Sequence, residues 1–168
     1  MGFFSRFFGS STVERPAQNT IIKPSVEKGV GYHPNLVENL KSDHQALFTI
    51  YGAMVALVNQ GKYAELTPKL QEFKMALQAH VLVENVQFYV YLQNKLQDDP
   101  MNLEFIKDVR KEMNGIARAV VNFSKKYETI EFTNEVKQTF SDDLNEIGTV
   151  LTQRVEMEES QLYTLYTP

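Results

Sequence analysis

The sequence predicts an all-α protein: an antiparallel, up-down four-helix bundle built from two repeated helical hairpins. Three observations carry that expectation. Four long segments repeat their apolar residues with a helical period, and none alternates as a strand would. Short links join them, which favours neighbours running in opposite directions. The two halves of the chain also match each other residue by residue.

The 168 residues suit one domain plus an extension. A formal charge of −4 and a pI near 5.4 argue against a general nucleic-acid binder, which would carry a basic stripe. Without cysteine there are no disulfides, iron–sulfur clusters or thiolate-bound zinc. No apolar run reaches the ~20 residues of a membrane span. Met1–Phe8 lacks a basic leader and a small-residue cleavage site, so a cytoplasmic location is expected.

Residues 1–31 read as a flexible extension, broken by Pro16 and Pro24 and without periodicity; residues 32–168 read as the bundle. The tip of the extension carries Phe3, Phe4, Phe7 and Phe8 around Arg6. Such a tip can hook a membrane surface or a partner groove, or fold back on the bundle. Arg6 stands where a myristoylation pattern needs Ser or Thr.

The first helix is expected from about Pro34 to Asn59, with Pro34 in its first turn and Gly61 just past its end. Its stripe is Val37, Leu40, His44, Leu47, Tyr51, Met54/Val55 and Val58. The second is expected from Pro68 to Lys95, capped by Thr67, with Leu70, Phe73, Leu77, His80, Glu84, Phe88 and Tyr91/Leu92 inward. Asp98-Asp99-Pro100 breaks the chain. The third runs from about Leu103 to Tyr127 and presents Ile106, Val109, Met113, Ile116, Val120, Phe123 and Tyr127. The fourth runs from about Asn134 to Leu165 and presents Phe140, Leu144, Ile147, Leu151, Arg154, Glu158, Leu162 and Leu165. Gly52, Gly115 and Gly148 lie singly within helices, where they would allow close approach of neighbours.

An offset of 74 residues places Leu70, Phe73, Leu77, His80, Glu84 and Tyr89 on Leu144, Ile147, Leu151, Arg154, Glu158 and Tyr163. An offset of 69 places His44, Leu47 and Met54 on Met113, Ile116 and Phe123. Each half thus has one distinctive position on its first helix and a polar i,i+4 pair on its second. His44, His80, Glu84, Arg154 and Glu158 are polar residues on apolar stripes. Buried charge is unfavourable unless it is paired or bound to metal.

Two readings follow. In one, His44, His80, Glu84 and Glu158 hold a single ion, since imidazole and carboxylate suit Fe, Mn or Zn. Met113 is a poor ligand for a hard cation, and Arg154 stays protonated and cannot be one. In the other there is no metal, and Arg154 pairs with Glu84 and Glu158 in a buried structural network. His33 reads as a loop residue. Tyr51, Tyr89, Tyr91, Tyr127, Tyr163 and Tyr166 are expected to pack with their hydroxyls at the rim. No nucleophile–base pair, phosphate loop or nucleotide fingerprint is present, so no catalytic residue is assigned and no enzyme is expected.

The run Ser42-Asp43-His44-Gln45-Ala46-Leu47, with Leu77-Gln78-Ala79-His80-Val81-Leu82-Val83-Glu84, resembles the hemerythrin-like (HHE cation-binding) family. The resemblance covers about residues 34–166 and implies a four-helix bundle around non-haem iron. It maps ligand roles onto His44, His80, Glu84 and Glu158. Met113 and Arg154 stand where the pattern has His, so it implies a degenerate site for at most one ion, in a sensor or regulator. The stretch Leu144–Arg154 followed by Glu158-Glu159 also resembles the last helix of the regulator of sigma D (Rsd/AlgQ) family. That second resemblance implies a metal-free anti-sigma regulator whose acidic surface meets a sigma factor.

Overall fold

A computed structural model describes residues 30–168, and every regular element among them is helical. The Phe3, Phe4, Phe7 and Phe8 tip lies outside the described residues.

Helix α1 spans Leu36–Asn59 and starts just after Pro34, which lies in the preceding turn and not in the helix. Its end is as expected. Gly61 has φ 70° and donates to Val58 O at 2.9 Å, while Lys62 N donates to Leu57 O at 2.9 Å. That pairing is the Schellman closure, and the left-handed residue at its centre favours glycine.

A 3₁₀ turn, Tyr63–Glu65, then leads into α2, Leu66–Val83. The expected Thr67 cap is therefore wrong. The helix already runs through Thr67, and Pro68 sits third in it. Its missing N–H there is still one of the first four that have no partner within the helix. Helix α3, Tyr89–Lys95, continues the same rod after an interruption. Helix α4, Pro100–Glu128, starts three residues earlier than expected. Asp99 caps it by accepting from Asn102 N at 3.2 Å, and Pro100 ends the break as the helix's pre-set first residue. Thr133 caps α5, Asn134–Met157, by accepting from Val136 N.

Helix α1 packs against α2 and α5, and α4 packs against the same two, so the rods form a helical bundle. Two apolar clusters fill it. One gathers Leu47, Leu77, Met113, Phe123, Leu144 and Leu151, among others; the second gathers Leu40, Phe88, Leu92, Ile106, Val109 and Leu162. Each of these large side chains contributes about 1.5–3 kcal/mol when fully buried. Between the clusters lie His44 on α1, His80 on α2 with Glu84 just past its end, and Arg154 on α5 with Glu158 just past its end. No described helix is long and apolar enough to cross a membrane.

Of the three helical glycines, only Gly148 mediates close approach. A side chain there would overlap the Tyr51 ring and hydroxyl, whereas Gly52 has open space and Gly115 meets only the end of Arg118.

Candidate metal centre

All five polar stripe residues are buried, Arg154 included at 4% exposure and the other four at 2% or less. Their place between the two apolar clusters on each helix puts them at one level. His44 sits one turn from Leu40 and Leu47 on α1, and each i,i+4 pair stacks along one face.

The two pairs share a backbone irregularity that periodicity did not reveal. A π-helical turn spans Glu84–Phe88, and a second spans Glu158–Leu162. Each begins at the glutamate of its pair, and each is followed directly by a tyrosine, Tyr89 and Tyr163. In an α-helix, residue i+5 lies about 140° round from residue i. The wider π turn swings it back toward the face of residue i. Both tyrosines are thereby carried into the polar layer beside the glutamates. They are at most 5% exposed, which corrects the expectation of rim hydroxyls. Tyr127 is also buried and donates to Asp143 at 2.7 Å. The same swing displaces Tyr91 and Leu165 from the buried stripe in favour of Leu92 and Tyr166.

His44 Nε2 lies 3.1 Å from Glu158 Oε2, and its Nδ1 lies 2.8 Å from Glu159 Oε1. A Glu159 carboxylate accepting from Nδ1–H fixes the ring with Nε2 facing inward, where it donates to Glu158 when protonated and would offer a lone pair to a metal when not. His80 also faces two carboxylates, but beyond hydrogen-bond distance. Its Nδ1 is 3.6 Å from Asp43 Oδ2, and its Nε2 is 3.8 Å from Glu84 Oε2. The two imidazole rings lie 4.7 Å apart. His44, His80 and Glu158 each bring one donor atom within 4.8 Å of the others, a spacing that could hold a metal ion.

Arg154 faces the same glutamate from the other side. Its Nε donates to Glu158 Oε1 at 2.6 Å, one terminal nitrogen donates to Tyr89 Oη at 2.8 Å, and the other reaches Glu112 Oε2 at 3.4 Å. Tyr163 Oη donates to Glu84 Oε1 at 3.1 Å. Met113 is buried in the apolar cluster. His33 is exposed, and its backbone N–H binds Tyr166 Oη, as suits a loop residue.

The electrostatics separate the two glutamates. Burial, reinforced by the charge of Glu158, pushes the Glu84 carboxyl well above the usual range. Burial acts on Glu158 too, but the His44 hydrogen bond and the Arg154 charge outweigh it and hold its carboxyl low. Burial would lower His44, yet Glu158 and Glu159 raise it; burial and the His44 charge lower His80.

Glu158 is thus fully served by protein groups, while the opposite corner is not. Among the described residues, both ring nitrogens of His80 and Glu84 Oε2 are buried without a hydrogen-bond partner. Buried polar atoms are seldom left unpaired, and three on adjoining side chains call for an explanation. A cation among them supplies one for His80 Nε2 and Glu84 Oε2. The donors, imidazole nitrogen and carboxylate oxygen, suit Fe, Mn or Zn. The residues present therefore fit a metal ion.

Sequence reasoning put the five polar residues on stripes that prove buried, but missed Tyr89, Tyr163, Glu159, Asp43 and Glu112. One signal was available: the 74-residue offset maps Tyr89 onto Tyr163 just as it maps Glu84 onto Glu158. No curated protein and no solved structure matches the chain. Residues 35–166 match the hemerythrin HHE cation binding domain, the region that contains the whole polar layer. The chain belongs to the hemerythrin HHE cation-binding family.

Proposed function

We propose that this protein binds one divalent cation, Fe, Mn or Zn, through His44, His80, Glu84 and Glu158, and acts as a metal-responsive regulator and not as a catalyst. The observation that carries this reading is the unpaired corner formed by His80 and Glu84 Oε2, 3.8 Å apart at its closest ring nitrogen and buried. A bound cation would neutralise Glu84 and use the lone pairs of His44 and His80. It would also stabilise the fold, because ligand that binds only the native state shifts the unfolding equilibrium.

The limit of one ion rests on Arg154 and Met113. The hemerythrin-like pattern has His at both positions. Here Met113 offers no hard donor, and the Arg154 guanidinium puts a permanent positive charge against Glu158. A second cation would have to sit beside that charge. The same reading takes the bundle as two antiparallel hairpins related by an internal repeat. The two π turns, each opening at a glutamate and closing at a tyrosine, support it.

The test is metal content by elemental analysis on untagged protein, beside His80→Ala. About one metal per chain, lost in the variant, is the expected result. No metal in either protein, even after anaerobic Fe(II) reconstitution, would sink the reading. Arg154 would then be the centre of a structural network, and capture of a sigma factor would test the metal-free alternative.

A further inference from the structure

The chain is acidic overall, yet one face of α4 is not. Lys107, Arg110, Lys111 and Arg118 line a single shallow groove there, together with Gln93 of α3 and Asn114. Helix spacing puts these α4 residues within one stripe about 16 Å long. Glu104 lies about one turn before Lys107 and does not line the groove, Asp108 and Glu112 sit about 100° or more further round from Lys107, and Glu112 is turned toward Arg154. Among the described residues none of the four cations has a carboxylate within ion-pair distance.

Arg110 is also held in place. Its Nε donates to Asn85 Oδ1 at 2.8 Å, one terminal nitrogen to Asn85 O at 3.2 Å and the other to Gln93 Oε1 at 3.4 Å. Its guanidinium lies 5.8 Å from the centre of the Tyr89 ring. Asn85 is itself fixed by the hydrogen bond that its Nδ2 donates to Asn114 Oδ1. All these partners are neutral, so the positive charge is oriented without being cancelled. Two of the five guanidinium N–H donors stay free for a ligand. An arginine held this way loses little freedom on binding a planar or tetrahedral oxyanion.

We propose that this groove binds a small anion carrying two or more phosphate groups. Three cations within one turn, Lys107, Arg110 and Lys111, match adjoining phosphates better than one carboxylate. The cavity measures about 280 Å³, the size of a compact ligand and not of a protein segment. Among the described residues no aromatic ring lines it, and stacking is what single-stranded nucleic acid needs. A second cavity continues past Asn114 and Arg118 to Ala117, Val121 and Asn122, giving room for an uncharged group attached to the phosphates.

The test is calorimetric titration of the full chain with inorganic pyrophosphate and, separately, with ATP. Saturable binding of one anion per chain is expected. Lys111→Gln, an exposed substitution that leaves the core untouched, should weaken it at least about tenfold, as should Arg110→Gln. Asn85→Ala should weaken it with no change of charge, because Arg110 loses its anchor. Equal affinity for both probes assigns recognition to the phosphates alone, and tighter ATP adds the far cavity; both support the groove. Absence of saturable binding would overturn it, as would an affinity unchanged in both Lys111→Gln and Arg110→Gln. Binding lost in folded His80→Ala would place the anion at the metal centre and overturn it too. Tighter capture of duplex DNA through the same residues would replace the small anion with nucleic acid.

Discussion

Tyr163 donates a 3.1 Å hydrogen bond to Glu84, joining the residue that closes the second π turn to the residue that opens the first. The bond is buried and is the one hydrogen bond that Glu84's side chain receives among the described residues. Tyr163→Phe should therefore leave a buried carboxyl oxygen unserved and lower stability by about 1–3 kcal/mol. If the centre binds metal as proposed, affinity should also fall by about 10–100-fold, the usual effect of removing a group that orients a ligand. Urea unfolding and metal titration of the same variant read both effects. Unchanged stability would mean that the bond contributes nothing.

Arg154 and Glu158 form the tightest ion pair of the layer, at 2.6 Å, and both are buried. Arg154→Leu removes one partner and leaves a carboxylate that still faces His44 but has lost its strongest counter-charge. The expected loss is about 3–5 kcal/mol. Arg154→Leu with Glu158→Leu should recover much of it, because a well-packed apolar pair can replace a buried ion pair at little cost. The double variant should nevertheless bind metal poorly, having lost a ligand. A double variant no more stable than Arg154→Leu in chemical unfolding would show that His44 or Tyr89 depends on the pair more than the geometry implies.

How far the sequence could be read depended on whether a feature changes the period of the chain or only its chemistry. His44, His80 and Arg154 were visible because polar residues on an apolar stripe break a pattern that burial imposes. Tyr89 and Tyr163 fit no expected stripe. Their inward position depends on π turns, and nothing in Glu84–Phe88 or Glu158–Leu162 marks a wider turn by composition. Thr67 misled for a related reason: a Thr-Pro pair is a sound helix start, but the 3₁₀ turn at Tyr63–Glu65 had already begun winding the chain. Asp98-Asp99-Pro100 does break the rod between α3 and α4, but its last two residues also cap and start α4. The groove on α4 was hidden because net charge averages over all faces.

Three tyrosines should set the alkaline limit of stability. Burial pushes the Tyr127 hydroxyl up to about 12, aided by Asp143 and opposed by Lys126. Burial also raises Tyr89 and Tyr163, with the Glu84 charge adding to both. Unfolded tyrosine ionises near 10. Their contribution is therefore intact below about pH 10. Above it the unfolded chain loses protons that the folded chain keeps, so stability falls as pH rises toward 12 and beyond. Phenolate absorbance followed beside helical circular dichroism checks this. The buried tyrosines should titrate only as the helices melt. A complete phenolate signal near pH 10 with the helices intact would contradict it.

Gly148 offers the sharpest packing test. Glycine inside a helix is less favourable than alanine by about 1 kcal/mol, so Gly→Ala in an open site should stabilise by up to that amount. Gly52 and Gly115 meet nothing that a methyl group would disturb except the tip of Arg118, and both should show the gain. Gly148 should not. Its missing side chain is the space that the Tyr51 ring fills on the way to its 3.3 Å hydrogen bond with Leu144 O. A methyl group there forces the ring out, at an overpacking cost of about 1–3 kcal/mol that exceeds the helical gain. Replacing Tyr51 by Ala removes the obstacle, so Gly148→Ala should become stabilising in that background. The sign change between backgrounds, read from urea midpoints in a double-mutant cycle, isolates the contact from helix propensity. An equal gain at Gly52, Gly115 and Gly148 in the parent protein would show that α1 and α5 are not packed at Tyr51.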